Sequence, residues 1–264
     1  MLAAKKIVKP NQLWHTIREE ASQLVESEPM LASYFHATLL NHDNIGSAIG
    51  YILANKLSSE VMPAIDIREV IRQAYIANPE IIQSGMTDIM AVYLRDPATN
   101  YYSTPLLYYK GFLALQAYRI AHWLWQQNRR ALASFLQSQI AIVFGVDIHP
   151  AAKIGCGVMF DHATGIVIGE TAVVENDVSI LQSVTLGGTG KENGDRHPKI
   201  REGVMIGANS TILGNIEIGK GAKIGAGSVV LNPVPQHTTV AGVPAKIVGC
   251  PDCEKPALNM DQDI

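Results

Sequence analysis

Two clusters in this sequence bring together residue types able to do chemistry. The first is Phe160-Asp161-His162-Ala163-Thr164, where a carboxylate precedes an imidazole. The second is Asp195-Arg196-His197-Pro198, within the run Val184-TLGGTGKENGDRHPK-Ile200. An imidazole of unperturbed pKa about 6.5 suits general-base work at neutral pH, although a lone histidine equally suits a structural place. Arginine offers a planar two-donor fork for an anionic group. Gly187-Gly188-Thr189-Gly190 opens the second cluster. Turns of this kind can present backbone N–H groups closely, as a developing oxyanion requires.

What must position these residues is a six-residue repeat. An apolar residue returns at Ile148, Ile154, Phe160, Ile166, Ala172, Val178 and Val184, and again at Ile200, Ile206, Ile212, Ile218, Ile224 and Val230. A beat of six fits neither a 3.6-residue helix nor alternating strands; it is the short-period repeat of a parallel β-helix. Each hexad is then a short strand and a turn, three hexads make a coil of eighteen, and coils lie about 4.8 Å apart. Glycines directly after inward positions, among them Gly155, Gly169 and Gly207, serve tight corners. Between Val184 and Ile200 one hexad is lengthened, by ten residues on this count. A coil has no concavity of its own, so an ejected loop carrying Asp195, Arg196 and His197 is expected to wall a catalytic cleft. His162, two residues past the beat at Phe160, is expected at a corner or outer face. Asp147 precedes it by fifteen residues, just under one coil, a separation that can bring the two together. Spacing alone leaves that pairing open.

Before about residue 145 the apolar residues fall at three- and four-residue spacing, as in Ile65-DIREVIRQAYIA and Leu106-LYYKGFLALQAYRIAHWLWQQ, with breaks at Pro29, Pro63, Pro79 and Pro97. Thr104-Pro105 reads as an N-cap and a first helical residue. The expected architecture is α+β: an all-α helical domain over 1–145, a parallel β-helix over 146–249 and a flexible polar tail over 250–264. A composition of 47% hydrophobic residues with a net charge of −3 suits a globular chain, and it lacks the basic stripe that nucleic acid requires. The N-terminus has no secretory h-region. No apolar run approaches the roughly 20 residues of a membrane span, so no membrane association and a cytoplasmic location are expected. Three cysteines make no disulfide framework, and Cys250 and Cys253 form a lone CxxC without a second pair for zinc.

The stretch IGCGVMFDHATGIVIGETAVVENDVSILQSVTLGGTGKENGDRHPKIREGVMIGA resembles the catalytic region of the serine O-acetyltransferases, hexapeptide-repeat acyltransferases of cysteine biosynthesis. The likeness continues through RDPATNYYSTPLLYYKGF, VDIHPAAKIG and AGVPAKIVG, covering at least residues 95–249. DHATGIVIGET together with GGTGK…GDRHPKI is its most specific part. The resemblance implies a left-handed parallel β-helix and acetyl transfer from acetyl-CoA, as co-substrate, to the L-serine hydroxyl. It implies no bound cofactor, no metal, and feedback inhibition by L-cysteine. It implies His162 as base with Asp147 as its orienting partner, Arg196 and His197 on the substrate carboxylate, and Asp161 with Asp96 on the ammonium group. Asp96 equally suits a turn, and the role of Glu170 stays open. For acetyl-CoA it implies Gly188, Ala208 and Ala226 along the pantetheine arm and Lys246 near the nucleotide end. It further implies homotrimers joined through the helical domains into a hexamer, and insertion of a terminal isoleucine, here Ile264, into O-acetylserine sulfhydrylase. No nucleophilic cysteine is implied, so direct attack in a ternary complex is expected.

Two other functions compete. A different acyl acceptor on the same scaffold, a sugar or a xenobiotic, predicts no carboxylate clamp. A zinc hydrase needs three converging histidines. His162 and His197 supply two, but Arg201-Glu202 stand downstream of the loop, and His149 and His237 are poorly spaced for a third.

Overall fold

The chain folds as two units, Met1–Tyr109 and Lys110–Ile264; the structure is a computed structural model that describes Lys5, residues 7–190 and residues 193–263. The first unit is helical: α1 (Leu13–Ser27), α2 (Ala32–Phe35), α3 (Ile45–Leu57), α4 (Ala64–Ala77), α5 (Glu80–Arg95) and α6 (Ser103–Tyr108). Except before α3, its breaks fall at the prolines, which have no N–H to give a preceding turn. Pro63 and Pro79 stand at the N-caps of α4 and α5, and Pro97 follows α5. Asn44 caps α3, accepting from the Ser47 N–H at 2.9 Å. The cap expected at Thr104 is made differently. Helix α6 begins at Ser103, and the N–H groups of Tyr102 and Ser103 donate, at 2.9 and 2.8 Å, to the buried carboxylate of Glu20 on α1.

The periodic stretch from Leu106 onward is not one helix. Tyr109 is extended (φ −92°, ψ 106°), so α6 ends there and α7 (Lys110–Gln126) opens the second unit, followed by α8 (Arg130–Phe144). The position near 145 therefore marks the change from helix to strand, whereas the units divide at Tyr109–Lys110. Helix α7 is buried from Gly111 through Ala121 because it lies on the first coil. A Cβ at Gly111 would stand 2.2 Å from the Phe160 carbonyl oxygen. Arg119 donates to the Gly155 carbonyl at 2.7 Å, His122 to that of Pro150 at 2.7 Å, and the Tyr118 hydroxyl to that of Ala152. These donors cover the edge that a first coil would otherwise leave unpaired.

The rest of the unit is a prism of three parallel sheets. Face A is β1 (Val146–Ile148), β4 (Ile166–Ile168), β7 (Thr185–Gly187), β10 (Thr211–Leu213) and β13 (Val229–Val230). Face B is β2 (Lys153–Ile154), β5 (Val173–Val174), β8 (Lys199–Ile200) and β11 (Glu217–Ile218). Face C is β3 (Met159–Phe160), β6 (Ser179–Ile180), β9 (Met205–Ile206) and β12 (Lys223–Ile224), closed by the hairpin β14 (Thr239–Gly242) and β15 (Ala245–Gly249).

The register corrects the count of hexads. Ile148 faces Ile168, Ile154 faces Val174 and Phe160 faces Ile180, twenty residues on in each case. Ile166, Ala172 and Val178 are buried too, but they form a second inward row two residues earlier. The two extra residues are His162 and Ala163. The Asp161 N–H donates to the Ile180 carbonyl and the Ser183 N–H to that of Thr164, so Asp161 stacks on Leu181 and Thr164 on Gln182, with nothing opposite the pair between. Farther on, Thr185 faces Thr211, twenty-six residues away, so the loop lengthens its coil of eighteen by eight residues rather than ten.

The segment after Gly249, expected as a flexible tail, folds back on face C. Ala257 in α9 (Pro256–Asn259) is buried against Leu181 and Met205. Its carbonyl accepts from Ser179 Oγ at 2.9 Å, and Lys255 bridges Asp177 (2.8 Å) and Glu202. Ile264 lies outside the described residues. Among the described residues no helix is long and apolar enough to cross a membrane.

Candidate active site

The inserted pair His162–Ala163 turns the chain from face C to face A in consecutive tight bonds, Ala163 N–H to the Asp161 carbonyl and Thr164 N–H to that of His162. Both residues are left-handed, φ 55° and 61°, a conformation that costs roughly 1–2 kcal/mol for a residue with a Cβ. Strained backbone of this kind clusters at functional sites. The turn throws the imidazole outward: its side chain is 76% exposed, with Nε2 3.9 Å from an Asp161 oxygen, while Asp161 is only 24% exposed. Neighbouring coils stack Gln182, Ala208 and Ala226 on Thr164 at this corner, through the Asn209 N–H to the Gln182 carbonyl and the Gly227 N–H to that of Ala208. Two of the residues assigned to acetyl-CoA thus share the corner of His162.

The long loop leaves from the other edge of face A, where the chain turns toward face B. Here His149, Gly169 and Gly187 stack, and the loop returns over Glu170 and Thr171. Arg196 donates to Glu170 Oε2 at 2.7 Å, and that bond, above all, holds the Glu170 carboxyl below its usual range. The His197 ring is buried and rests on Gly169, where a Cβ would stand 2.1 Å from its Nε2 and Cδ2. The Thr171 N–H donates to His197 Nδ1 at 3.2 Å. Burial lowers the His197 pKa, the Arg196 charge adds to the effect, and Glu170 opposes it, so the ring is neutral at pH 7. With Nδ1 an acceptor, its hydrogen sits on Nε2. Lys199 ties the loop base, donating to Asp195 (2.5 Å), the Thr171 carbonyl (2.7 Å) and the His197 carbonyl (2.9 Å).

The remaining predicted residues are scattered. Asp147 stands on the outer side of face A, level with Val167 rather than with His162. Its carboxylate accepts from Gln137 of α8 at 2.7 Å. Asp96 belongs to the first unit and closes a turn, accepting from the Ala98 N–H (2.8 Å) and the Thr99 hydroxyl (2.7 Å). Gly188 lies beside Arg196, and Lys246 is exposed on β15 opposite Ala241. Sequence reasoning gave no role to Thr171, although it closes the DHATGIVIGET stretch, and left Glu170 open. His149, called poorly spaced for a metal, lies within electrostatic range of Glu170, Asp147 and Arg196. Among the described residues no group of three or more His, Cys, Asp or Glu side chains is placed to hold a metal ion.

One chain does not bring base and clamp together. His162 and the Arg196–His197 pair stand at opposite edges of face A, separated by β4; from Gly165 to Gly169 the strand covers roughly 13 Å at about 3.3 Å per residue.

Residues 13–117 match the family "Serine acetyltransferase, N-terminal" and residues 197–232 the family "Bacterial transferase hexapeptide (six repeats)". The serine acetyltransferase of Escherichia coli strain K12 is 72% identical over 250 residues, 95% of this chain and 92% of that protein. A solved serine acetyltransferase in complex with cysteine superposes with a TM-score of 0.95 at 64% identity, covering 97% of this chain and 100% of that one. Another, in complex with CoA, gives 0.87 at 65% identity, covering 90% of this chain and 99% of that one.

Proposed function

The chain belongs to the serine acetyltransferase family of acyltransferases, and on that footing we propose that it transfers acetyl from acetyl-CoA to the hydroxyl of L-serine, with His162 as general base. The observation that carries this reading is a guanidinium beside a neutral imidazole on one inserted loop, Arg196 and His197. Together they offer a planar fork and an Nε2–H to the carboxylate of an amino acid.

In the reaction, His162 takes the serine hydroxyl proton as the oxygen attacks the thioester carbonyl. The tetrahedral intermediate collapses by expelling the CoA thiolate, and the imidazolium returns its proton to sulfur. The products are O-acetyl-L-serine and CoA, with no acetyl-enzyme between them. Asp161, in the same corner as His162, takes the substrate ammonium group, joined by Asp96 on the family pattern. Ala208 and Ala226 line the pantetheine arm beside that corner, with Gly188 at the loop and Lys246 toward the nucleotide. The solved relative bound to CoA supports acetyl-CoA as co-substrate.

Because base and clamp stand at opposite edges of one face, the working site pairs the His162 corner of one copy with the loop of a neighbour in a homotrimer. Trimers join through the helical units into a hexamer. Asp147 orients His162 only when its carboxylate has left Gln137. L-Cysteine fits the same clamp with a thiol in place of the hydroxyl and inhibits by feedback, in keeping with the cysteine-bound relative. The enzyme opens cysteine biosynthesis in the cytoplasm, and Ile264 is the residue offered to O-acetylserine sulfhydrylase.

CoA release from acetyl-CoA, measured with L-serine, L-serinamide, sugars and simple amines, tests the reading. L-Serine is expected to drive release and L-serinamide, which lacks the carboxylate, to fail. Turnover of a sugar with serine inert would move the assignment to another acceptor.

A further inference from the structure

We propose that Thr171 is the positioning residue that fixes the tautomer of His197 and holds the Arg196–His197 pair against the coil. Its hydroxyl has one hydrogen and two acceptor sites. The N–H groups of Arg196 and His197 donate to that oxygen at 3.0 and 3.1 Å, which fills both sites. Its own hydrogen has two acceptors in reach, His197 Nδ1 at 2.8 Å and the Asp195 carboxylate. The Thr171 N–H reaches the same Nδ1 at 3.2 Å. The N–H donor excludes a hydrogen on Nδ1, and a hydroxyl oxygen whose two acceptor sites are filled cannot take one from it, so Nε2 must carry it. The Thr171 carbonyl completes the hold by accepting from Lys199 at 2.7 Å. One residue of the preceding coil therefore meets the loop through its hydroxyl, its N–H and its carbonyl.

The consequence for substrate is a matter of proton placement. A carboxylate needs a donor, and the opposite tautomer would present it with a lone pair on Nε2. The functional half of the inference rests on the serine reading above; the tautomer half does not.

Thr171→Val keeps the side-chain shape and removes both the acceptor and the donor, leaving two backbone N–H groups without their partner. Thr171→Ser restores the hydroxyl. In the assembled full-length protein, Thr171→Val is expected to raise the KM for L-serine tenfold or more, with kcat and the KM for acetyl-CoA moving less than about threefold. Thr171→Ser is expected to return the serine KM to within about threefold of wild type. Solid-state 15N NMR of histidine-labelled protein, assigned by difference with His197→Gln, reads the tautomer without substrate. Wild type and Thr171→Ser should show an unprotonated Nδ1 and a protonated Nε2, and Thr171→Val a mixture. A wild-type Nδ1 that carries hydrogen overturns the proposal even if Thr171→Val fails to assemble. So does a Thr171→Val protein with wild-type serine KM and an unmixed tautomer. Wild-type protein inert toward serine but with the expected tautomer would overturn the serine reading and the functional half alone.

Discussion

The His197 ring fills the place a side chain at position 169 would take. A Cβ on Gly169 would lie 2.1 Å from both Nε2 and Cδ2 of that ring, closer than any contact tolerates. The glycine is thus set by what packs on it, and the imidazole of the clamp is set in turn by the coil beneath.

Gly169→Ala should displace the ring. Overpacking of this kind costs about 1–3 kcal/mol, and the clamp rather than the core takes the displacement. The expected outcome is a serine KM raised about tenfold with a lowered melting temperature, while the KM for acetyl-CoA stays near wild type. An unchanged serine KM would show that His197 does not meet the substrate from this position.

Asp147 and Gln137 make opposite predictions. If the carboxylate must leave Gln137 (2.7 Å) to orient His162, Asp147→Asn lowers kcat about tenfold or more. Gln137→Ala, which removes the competing donor, leaves kcat at or above wild type. Steady-state kinetics on both variants decides: an Asp147→Asn enzyme with full kcat removes Asp147 from the mechanism.

Stability should fall on mild acidification. Burial, first among the causes, lowers the pKa of His197, His149, His122 and His42. A histidine whose folded pKa lies below its unfolded value of about 6.5 binds fewer protons folded than unfolded, so its stabilising contribution rises with pH. That contribution is complete above about pH 6.5 and is lost as pH falls through that value toward the folded pKa. The lowered carboxyls of Glu170, Asp195 and Glu202 withdraw their share only at more acid pH, below about 4.5. The raised Glu20 opposes the histidines near the acid end. The melting temperature at fixed protein concentration is expected to drop between pH 7.5 and 5.5, and less steeply for His197→Gln. A flat or rising curve contradicts neutral buried histidines.

The hexad beat made the β-helix legible because each inward aliphatic residue stacks on its counterpart in the next coil, and that constraint is written directly in residue type. The slip of two at His162–Ala163 was not legible for a physical reason. Each hexad has two inward positions, so Ile166 and Ile168 are both buried, and an apolar pattern survives a shift from one row to the other. Neither His162 nor Ala163 is a glycine, so nothing announced two consecutive left-handed residues. The same slip moves Asp147 farther from register with His162, setting it level with Val167. The cap of α6 was hidden because its acceptor, Glu20, comes from a different helix, while the nearby Thr104-Pro105 carried the local signal. The loop chemistry of Arg196 and His197 was legible as residue types. Its support by Thr171, a residue of ordinary type on the preceding coil, was not.

The most direct test is the rate of O-acetyl-L-serine formation by wild type and His162→Ala, each first shown to have the same assembly state and melting temperature. The His162 side chain is 76% exposed, so its removal should leave the fold intact. The account predicts that wild type forms O-acetyl-L-serine from acetyl-CoA and L-serine and that the variant loses about 10²–10⁴-fold in kcat. A correctly assembled His162→Ala enzyme that keeps the wild-type rate would contradict it.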